Sequence, residues 1–362
     1  MNKPLRILSI DGGGTRGLIP ATILQCIELD TGKKPLDLFD LFIGTSTGGI
    51  ISIGLFAGLQ TGQLVDLYLN KAEEIFDDSW FDDVRDGFGK KLGADYSNTN
   101  LKKILKDLFA DKTLGDVHNQ HNTDLASSDF RKMLMIPSFD LNPTVKVGDE
   151  MKPTNFRATV FNSFLQRYKD DKLVDLALRT SAGPTYFPIY DRKYIDGGVA
   201  LNHPAMAAVA FAINDNVFGT DDGETPDYCY PDGLKKGLGL KLSDLRVLSI
   251  SCGTSNKNFV PPSDIKTGDW GEIQWVKYLP DLLTESNVQV SEYYVSQVLS
   301  KNTYKRLAPT FDDPDIKDLK PIFNKIIGLD EVKKPVLEGM QECARRYYTK
   351  HKDAILAFVN QE

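Results

Sequence analysis

Few residues of this chain are suited to a disulfide framework or a metal site. It holds four cysteines and four histidines among 362 residues. The cysteines are scattered without CxxC spacing at Cys26, Cys229, Cys252 and Cys343. We therefore expect reduced thiols in an intracellular protein. His118 and His121 form an H-x-x-H pair in a segment that reads as a polar loop, with no HExxH motif and no third ligand. They predict no metal site, and no other cofactor is expected.

The chain has no excess of positive charge, and long apolar segments are scarce. The formal net charge is −7, whereas a protein that binds nucleic acid by neutralising phosphates has a basic surface. DNA and RNA are therefore not expected partners. The longest apolar run lies near Gly49–Leu59 and falls well short of the roughly 20 residues that cross a bilayer. The N-terminal segment lacks the apolar stretch of a signal peptide, so a cytoplasmic location is expected.

The sequence does contain a repeated order of strand, glycine turn and helix. Leu5–Ile10 predicts a buried strand that is followed by glycines and a helix, and Phe39–Ile43 begins the same order again. Further strands are predicted at Arg131–Leu141, Phe156–Ser163 and Leu245–Ser255. This pattern is typical of an α/β fold with a mostly parallel sheet. Functional sites in such folds gather at the carboxyl ends of the strands.

Helical patterns occupy most of the remaining chain. Asn98–Phe109 is amphipathic, with lysines away from its apolar side. It is either a core helix, which is favoured, or a helix that lies on a membrane surface. Beyond about Pro261 only helices are predicted. We therefore divide the chain into an α/β domain at residues 1–260 and a helical C-terminal extension at residues 261–362 that packs on the same domain.

The second glycine turn contains a serine in a G-x-S-x-G pattern, with Ser46 between Gly44 and Gly48. After a strand and before a helix, this pattern predicts a sharp turn that exposes a nucleophilic hydroxyl. The two glycines remove side chains that would collide in the turn. The following helix would also place its positive end at Ser46. A serine in an ordinary glycine-rich turn is the alternative at this stage.

The first glycine turn, Asp11–Gly17, could supply the donors that acyl transfer requires. Bare backbone amides at the glycines could bind a developing oxyanion, and an arginine in the turn adds positive charge. The same segment matches G-x-G-x-x-G, which alone is weak support for a dinucleotide site. The next strand ends in Gly44 and Thr45 rather than in the acidic residue that a dinucleotide-binding fold requires.

A serine nucleophile needs a base, which is most often histidine. His203 is the histidine nearest to a plausible site, and it follows a strand and glycine turn at Asp196, Gly197 and Gly198. Asp196 is the other candidate, because an aspartate at a strand end could touch Ser46 directly. Its ordinary pKa makes it a weaker base than imidazole, so it would need close geometry and a dry site.

Four motifs together resemble the patatin-like phospholipases. They occur in the order and at the spacing of that family: Asp11–Gly17, Gly44–Gly49, Thr180–Pro188 and Asp196–Pro204. The resemblance covers about Leu5–Thr254. It implies a three-layer α/β/α sandwich with a mostly parallel central sheet, related to the catalytic domain of cytosolic phospholipase A2. His203 departs from the family, which often has asparagine at that position.

The resemblance also implies roles for individual residues. Ser46 would be the nucleophile and Asp196 its activating partner in a Ser–Asp dyad. Gly44 and Gly48 would form the nucleophile turn. The residues implied to shape the oxyanion hole are Gly12, Gly13, Gly14 and Arg16. The remaining motif glycines are Gly17, Gly197 and Gly198.

The activity implied by the resemblance is release of fatty acid from membrane glycerophospholipids, at the inner membrane surface of the cell. Some bacterial family members are anti-phage effectors activated by cyclic di- or trinucleotides, and the sequence leaves open whether this chain is one. A homo-oligomer is equally open. Trp80 and Phe81 are candidates for an interfacial anchor. The alternatives are a non-enzymatic storage or interaction protein on the same fold and, less favoured, an actin-like sugar kinase.

Overall fold

The computed structural model describes residues 3–76, 94–122, 132–147, 149–215, 237–254, 260, 262–265, 268–323 and 327–361. Trp80, Phe81 and Cys229 lie outside the described residues. The strands are β1 (Leu5–Ile10), β2 (Leu41–Gly44), β3 (Met133–Asp140), β4 (Thr144–Val147), β5 (Glu150–Pro153), β6 (Arg157–Asn162), β7 (Tyr194–Asp196), β8 (Leu245–Ile250) and β9 (Tyr304–Leu307).

The helices lie between and after these strands. They are α1 (Leu18–Thr31), α2 (Pro35–Leu38), α3 (Thr47–Phe56), α4 (Thr61–Asn70), α5 (Ala72–Ile75), α6 (Thr99–Phe109), α7 (Leu114–His121), α8 (Leu173–Thr180), α9 (Gly198–Leu201), α10 (Ala205–Ile213), α11 (Pro262–Ile265), α12 (Glu272–Val298) and α13 (Lys334–Val359). Among the described residues, no helix is both long and apolar enough to span a bilayer.

One mixed sheet organises the molecule, with the order β6-β3-β2-β1-β8-β9 and with β7 also paired to β3. The pairs among β1, β2, β3, β8 and β9 are parallel, whereas β6 and β7 run antiparallel to β3. The separate hairpin of β4 and β5 is not predicted by the sequence pattern.

Helices cover both faces of the sheet. Alternate residues of each central strand enter two different apolar clusters, because successive side chains of a strand point to opposite faces. In β2, Phe42 joins the cluster that α1, α3, α4 and α13 cover. Leu41 and Ile43 join the cluster that α10 and the end of α12 cover. The result is an α/β/α sandwich, and the expected fold class is confirmed.

Two helical predictions have clear outcomes. The apolar residues of α6 are buried, including Leu101, Leu105 and Phe109, so α6 is a core helix and not a membrane-surface helix. His118 and His121 lie in α7, so the loop predicted for them is wrong. The acidic side chain of Asp116 caps the start of this helix by accepting hydrogen bonds from Thr113.

The C-terminal region contributes more to the sheet than the sequence pattern indicates. Helices α12 and α13 are present as expected, but β9 adds a parallel strand beside β8. α13 packs against α1 through buried apolar residues such as Met340 and Ala344. The division of the chain at residue 260 stays a prediction.

Candidate active site

The topology of the sheet brings Ser46 to Asp196. The first residues of β3, Met133–Met135, pair with β2, while Ser138–Asp140 pair with β7. Because β6 occupies the opposite edge of β3, β2 and β7 share one edge and approach each other end to end. The carboxyl end of β2 leads to Ser46, and the carboxyl end of β7 is Asp196 itself. Two residues that are 150 positions apart in the sequence therefore meet.

Ser46 lies on a strained turn. Its backbone has φ 54° and ψ −123°, a left-handed φ that L-residues rarely adopt. A side chain on Gly44 would collide with the Gly48 carbonyl, and one on Gly48 would collide with the Ile10 carbonyl. The two glycines thus allow β1, β2 and α3 to pack closely around the serine. The strain identifies a residue whose position the surrounding structure enforces.

Buried threonines fix this turn to the strands around it. The Ser46 amide donates a hydrogen bond to Thr180 Oγ1 at 3.0 Å, and that hydroxyl donates to the Pro137 carbonyl of β3 at 2.6 Å. On the other side, Thr45 Oγ1 donates to the Leu201 carbonyl at 2.6 Å. The nucleophile turn is therefore attached to β3 and to α9, which follows Asp196. The sequence analysis assigned none of these threonines a role.

Asp196 is a carboxylate held in a nonpolar setting. Burial raises its pKa to about 6, although hydrogen bonds from the Ser46 hydroxyl and the Gly198 amide act in the opposite direction. The Gly198 amide donates to Asp196 Oδ1 at 2.7 Å. Within the described ranges, no cationic side chain pairs with Asp196. A carboxylate of this kind is more basic than an ordinary aspartate, and it lies beside the hydroxyl it would have to deprotonate.

The glycine-rich turn Asp11–Gly17 lies beside the serine turn. The Gly12 amide donates to the Asn202 carbonyl at 3.1 Å, so Gly12 can shape an oxyanion pocket but has no amide left to donate. Neither Gly13 nor Gly14 donates its amide to another described residue. Gly14 has φ +58°, and a side chain there would collide with the Leu329 carbonyl.

Arg16 and Gly17 complete this turn. Arg16 Nε donates to the Gly13 carbonyl at 3.4 Å, so its charge lies against the segment that carries the two amides. A side chain on Gly17 would collide with Thr47 Oγ1. Gly17 therefore allows the glycine-rich turn to pack on the first residue of α3. Gly197 has a similar role at the other side, where a side chain would collide with the Pro137 carbonyl.

An apolar cavity opens at the two side chains of Ser46 and Asp196. Its apolar lining comes from α3 to α6 and from the loop after α8. These lining residues include Ile50, Leu67, Ala72, Ile75, Leu101 and Phe187. Gly14, Thr15 and Leu329 line it as well. The arrangement suits a substrate with a carbonyl group near the serine and a hydrocarbon portion in the cavity.

The histidines have structural partners. His203 is fully buried, and its Nε2 lies 3.0 Å from Glu292 Oε2 and 3.3 Å from the Tyr304 hydroxyl. His118 Nδ1 lies 3.2 Å from Ser163 Oγ, and His121 Nε2 lies 2.6 Å from the Phe56 carbonyl. Among the described residues, therefore, no hydrogen bond joins a histidine to the Ser46 side chain, whereas Asp196 lines the same cavity as Ser46.

The described cysteines also match their expected state. Cys26, Cys252 and Cys343 are free thiols. Burial is the main cause of the raised pKa of all three thiols. Since the thiolate is the reactive form, these cysteines are poorly suited to act as nucleophiles. Ser46 is thus the better candidate at this site.

A family model of patatin-like phospholipases matches residues 8–209, a span that includes both glycine turns, Thr180 and Asp196. The match places the chain among the lipid hydrolases. More narrowly, because it covers more than half of the chain, the protein belongs to the patatin-like phospholipase family. Family membership removes the actin-like sugar kinase from the alternatives.

Curated relatives and solved structures extend over most of the chain. Patatin-like protein 2 of Arabidopsis thaliana is 28% identical over 331 residues, which cover 81% of this chain and 71% of the relative. Probable inactive patatin-3-Kuras 1 of Solanum tuberosum is 26% identical and covers 94% of this chain and 90% of the relative. VipD from Legionella pneumophila has a TM-score of 0.40 and 12% identity, with 95% of this chain and 67% of VipD covered. Human GIVD cytosolic phospholipase A2 has a TM-score of 0.40 and 11% identity, with 99% of this chain and 60% of that chain covered.

Proposed function

We propose that the chain is a phospholipase A-type acyl hydrolase that works through a Ser46–Asp196 dyad and an acyl-enzyme. The observation that carries the proposal is that Ser46 and Asp196 line the same apolar cavity, where the Ser46 hydroxyl lowers the pKa of the Asp196 carboxylate against the effect of burial. Membership of a phospholipase family supplies the substrate class. Gly13 and Gly14 are the amide donors of the oxyanion hole, Gly12 shapes it, and Arg16 adds positive charge.

The first half of the reaction forms the acyl-enzyme. Ser46 Oγ attacks the carbonyl carbon of a glycerophospholipid ester while Asp196 accepts the hydroxyl proton. The negative charge that develops on the carbonyl oxygen is stabilised by the Gly13 and Gly14 amides. The ester C–O bond then breaks, and Asp196 gives its proton to the leaving oxygen of the lysolipid. The acyl group remains bonded to Ser46.

The second half regenerates the enzyme. A water molecule attacks the acyl carbonyl as Asp196 accepts one of its protons. The bond to Ser46 breaks, fatty acid leaves, and the proton returns from Asp196 to Ser46 Oγ. The raised pKa of Asp196 supports this shuttle, because a base near the working pH both accepts and returns a proton readily. The hydrocarbon chain lies in the cavity throughout.

A fluorophosphonate probe tests the nucleophile, because it bonds to an activated serine. We expect labelling of the wild type at Ser46, none of Ser46→Ala, and loss of fatty acid release from phosphatidylcholine vesicles in that variant. Ser52→Ala is the matched control, since Ser52 is a buried serine of α3, the helix that follows Ser46. Absence of labelling in a folded wild type would favour the storage or interaction protein instead.

Cyclic-nucleotide activation, a role in anti-phage defence, action at the inner membrane surface and assembly into a homo-oligomer stay predictions. They rest on the resemblance of the sequence. Fatty acid release measured with and without a panel of cyclic di- and trinucleotides tests the first of them. A nucleotide that raises the rate of the wild type but not of Ser46→Ala would identify an activator.

A further inference from the structure

The first residue of the glycine-rich turn, Asp11, is bound to the edge strand β9 of the sheet. Asp11 is almost fully buried, and its two carboxylate oxygens accept hydrogen bonds from the two terminal nitrogens of Arg306 on β9. The Nη1–Oδ1 distance is 2.9 Å. This is the bidentate geometry in which an arginine fixes both the position and the plane of a carboxylate.

Arg306 is itself held from several directions. Its Nη1 also donates to Ser249 Oγ of β8 at 2.7 Å, and its Nε lies 3.5 Å from Glu292 Oε2 on α12. Burial opposes the charge, yet the carboxylates of Asp11 and Glu292 raise the pKa of Arg306 above its ordinary value. Glu292 in turn binds His203 and Tyr304. The guanidinium is therefore a rigid, permanently charged group.

The main chain carries the position of Asp11 to the proposed oxyanion hole. The Asp11 amide donates to the Ile250 carbonyl at 3.1 Å, and the Cys252 thiol donates to the Asp11 carbonyl at 3.2 Å. The next amide, of Gly12, is bound to Asn202, and the amides of Gly13 and Gly14 follow directly. A shift of Asp11 would therefore displace the two donors relative to Ser46.

We infer that Arg306 is a positioning residue for the oxyanion hole, acting through Asp11. It lies outside residues 8–209, which the family model matches, so the C-terminal region completes the active site of this chain. The inference rests on the proposed function, because it assigns the Gly13 and Gly14 amides to the oxyanion. Arg306 touches no substrate in this scheme. It holds in position the Gly13 and Gly14 amides, which bind the substrate oxygen.

The test compares three variants on a soluble short-chain p-nitrophenyl ester. Arg306→Lys keeps the positive charge but cannot form the bidentate pair with Asp11. The double variant Asp11→Asn with Arg306→Gln removes both charges of the pair, so that neither Asp11 nor Arg306 is left buried without the other. Arg346→Gln is the matched control, because Arg346 also forms a bidentate pair, with Asp318, but on the surface.

For Arg306→Lys and for the double variant we expect kcat to fall about 10- to 100-fold with KM within about twofold. The rate of fluorophosphonate labelling should fall by the same factor, because that reaction also develops charge at the oxyanion hole. Arg346→Gln should match the wild type. A purely structural role would lower the melting temperature and leave kcat of the folded fraction unchanged.

Each result decides one question. A folded double variant with kcat within twofold of the wild type would overturn the inference, and if that variant does not fold, unchanged kcat in Arg306→Lys would overturn it. An inactive wild type, or a Ser46→Ala variant that keeps its activity, contradicts the proposed function instead. The two failures are therefore distinguishable.

Discussion

Asp11 and Asp196 lie beside the two glycine turns of the same site, and their surroundings are opposite. Asp11 is paired with a buried arginine, whereas Asp196 meets a serine hydroxyl and a backbone amide in a nonpolar setting. The guanidinium fixes the Asp11 carboxylate in a bidentate pair. Asp196 has no cationic partner among the described residues, and burial raises its pKa to about 6. The contrast indicates that Asp11 stabilises the structure of the site and that Asp196 takes part in the reaction.

The largest effect expected from this contrast is on catalysis. Asp196→Asn should lower kcat about 10³-fold or more, because an amide cannot accept the Ser46 proton. It should leave the circular dichroism spectrum unchanged. The rate of ester hydrolysis is measured for Asp196→Asn and for Ser46→Ala. We expect the two variants to have the same low residual activity. Activity above one-tenth of wild type in Asp196→Asn would remove Asp196 from its role.

The same substitution at Asp11 tests whether that residue stabilises the fold. Asp11→Asn leaves the Arg306 guanidinium buried without its main partner, which costs about 3 to 5 kcal/mol of the free energy of unfolding. We expect a large fall in the midpoint of urea unfolding. The double variant with Arg306→Gln should recover much of this loss, because it buries no unpaired charge. Equal stability of Asp11→Asn and the wild type would contradict the assignment.

Removing the charge of Asp196 should have the opposite effect on the free energy of unfolding. The Asp196 pKa of about 6 in the folded state lies above the ordinary aspartate value of about 3.9 that applies to the unfolded chain. The folded state therefore binds more protons between these values, and stability falls as the pH rises through this window. The ionised carboxylate costs up to about 3 kcal/mol above pH 6.

Asp196→Asn removes that cost. The variant should be more stable than the wild type at pH 8, by about 1 to 3 kcal/mol, and the difference should shrink as the pH falls toward 4. Urea unfolding of both proteins at several pH values measures it. A variant less stable than the wild type at pH 8 would mean that Asp196 serves the fold rather than the reaction.

Much of this arrangement follows from local sequence signals. The strands β1, β2, β3, β6 and β8 are apolar runs, and both glycine turns follow such runs directly. The sharp turn at Ser46 is predicted because G-x-S-x-G between a strand and a helix is typical of a strained nucleophile turn. Asp196 was found because it ends a strand before two glycines. These features depend on neighbours within a few residues in the sequence.

What could not be predicted depends on partners far apart in the chain. β9 is four residues long and reads Tyr-Lys-Arg-Leu, which has no apolar strand pattern. Its Arg306 is buried because Asp11 neutralises it, and that partner lies 295 positions away. The same holds for Thr180, whose hydroxyl bonds Ser46 from 134 positions away. Only the assembled sheet shows which of many polar residues are paired.

The pH dependence of the rate gives a smaller test of the Asp196 side. Asp196 must be ionised to accept a proton, so kcat/KM should be constant at alkaline pH and fall below a midpoint near 6. The fall should approach tenfold for each further pH unit. The rate of fluorophosphonate labelling should follow the same curve. A flat profile from pH 5 to pH 8 would show that another group controls the reaction.

The smallest effect concerns the hydrogen bond that attaches the serine turn to β3. Thr180→Val keeps the shape of a fully buried side chain but removes the acceptor of the Ser46 amide. Because a buried donor left without a partner costs about 1 to 3 kcal/mol, the strained turn should relax and kcat should fall about three- to tenfold. Thr22→Val is the matched control, since Thr22 is an equally buried threonine in α1 whose hydroxyl bonds only the Leu18 carbonyl of its own helix. The control leaves no buried donor without a partner, so it should lose less stability and no activity. If both variants lost activity equally, the effect of Thr180 would be general destabilisation, and the enforced position of Ser46 would have another source.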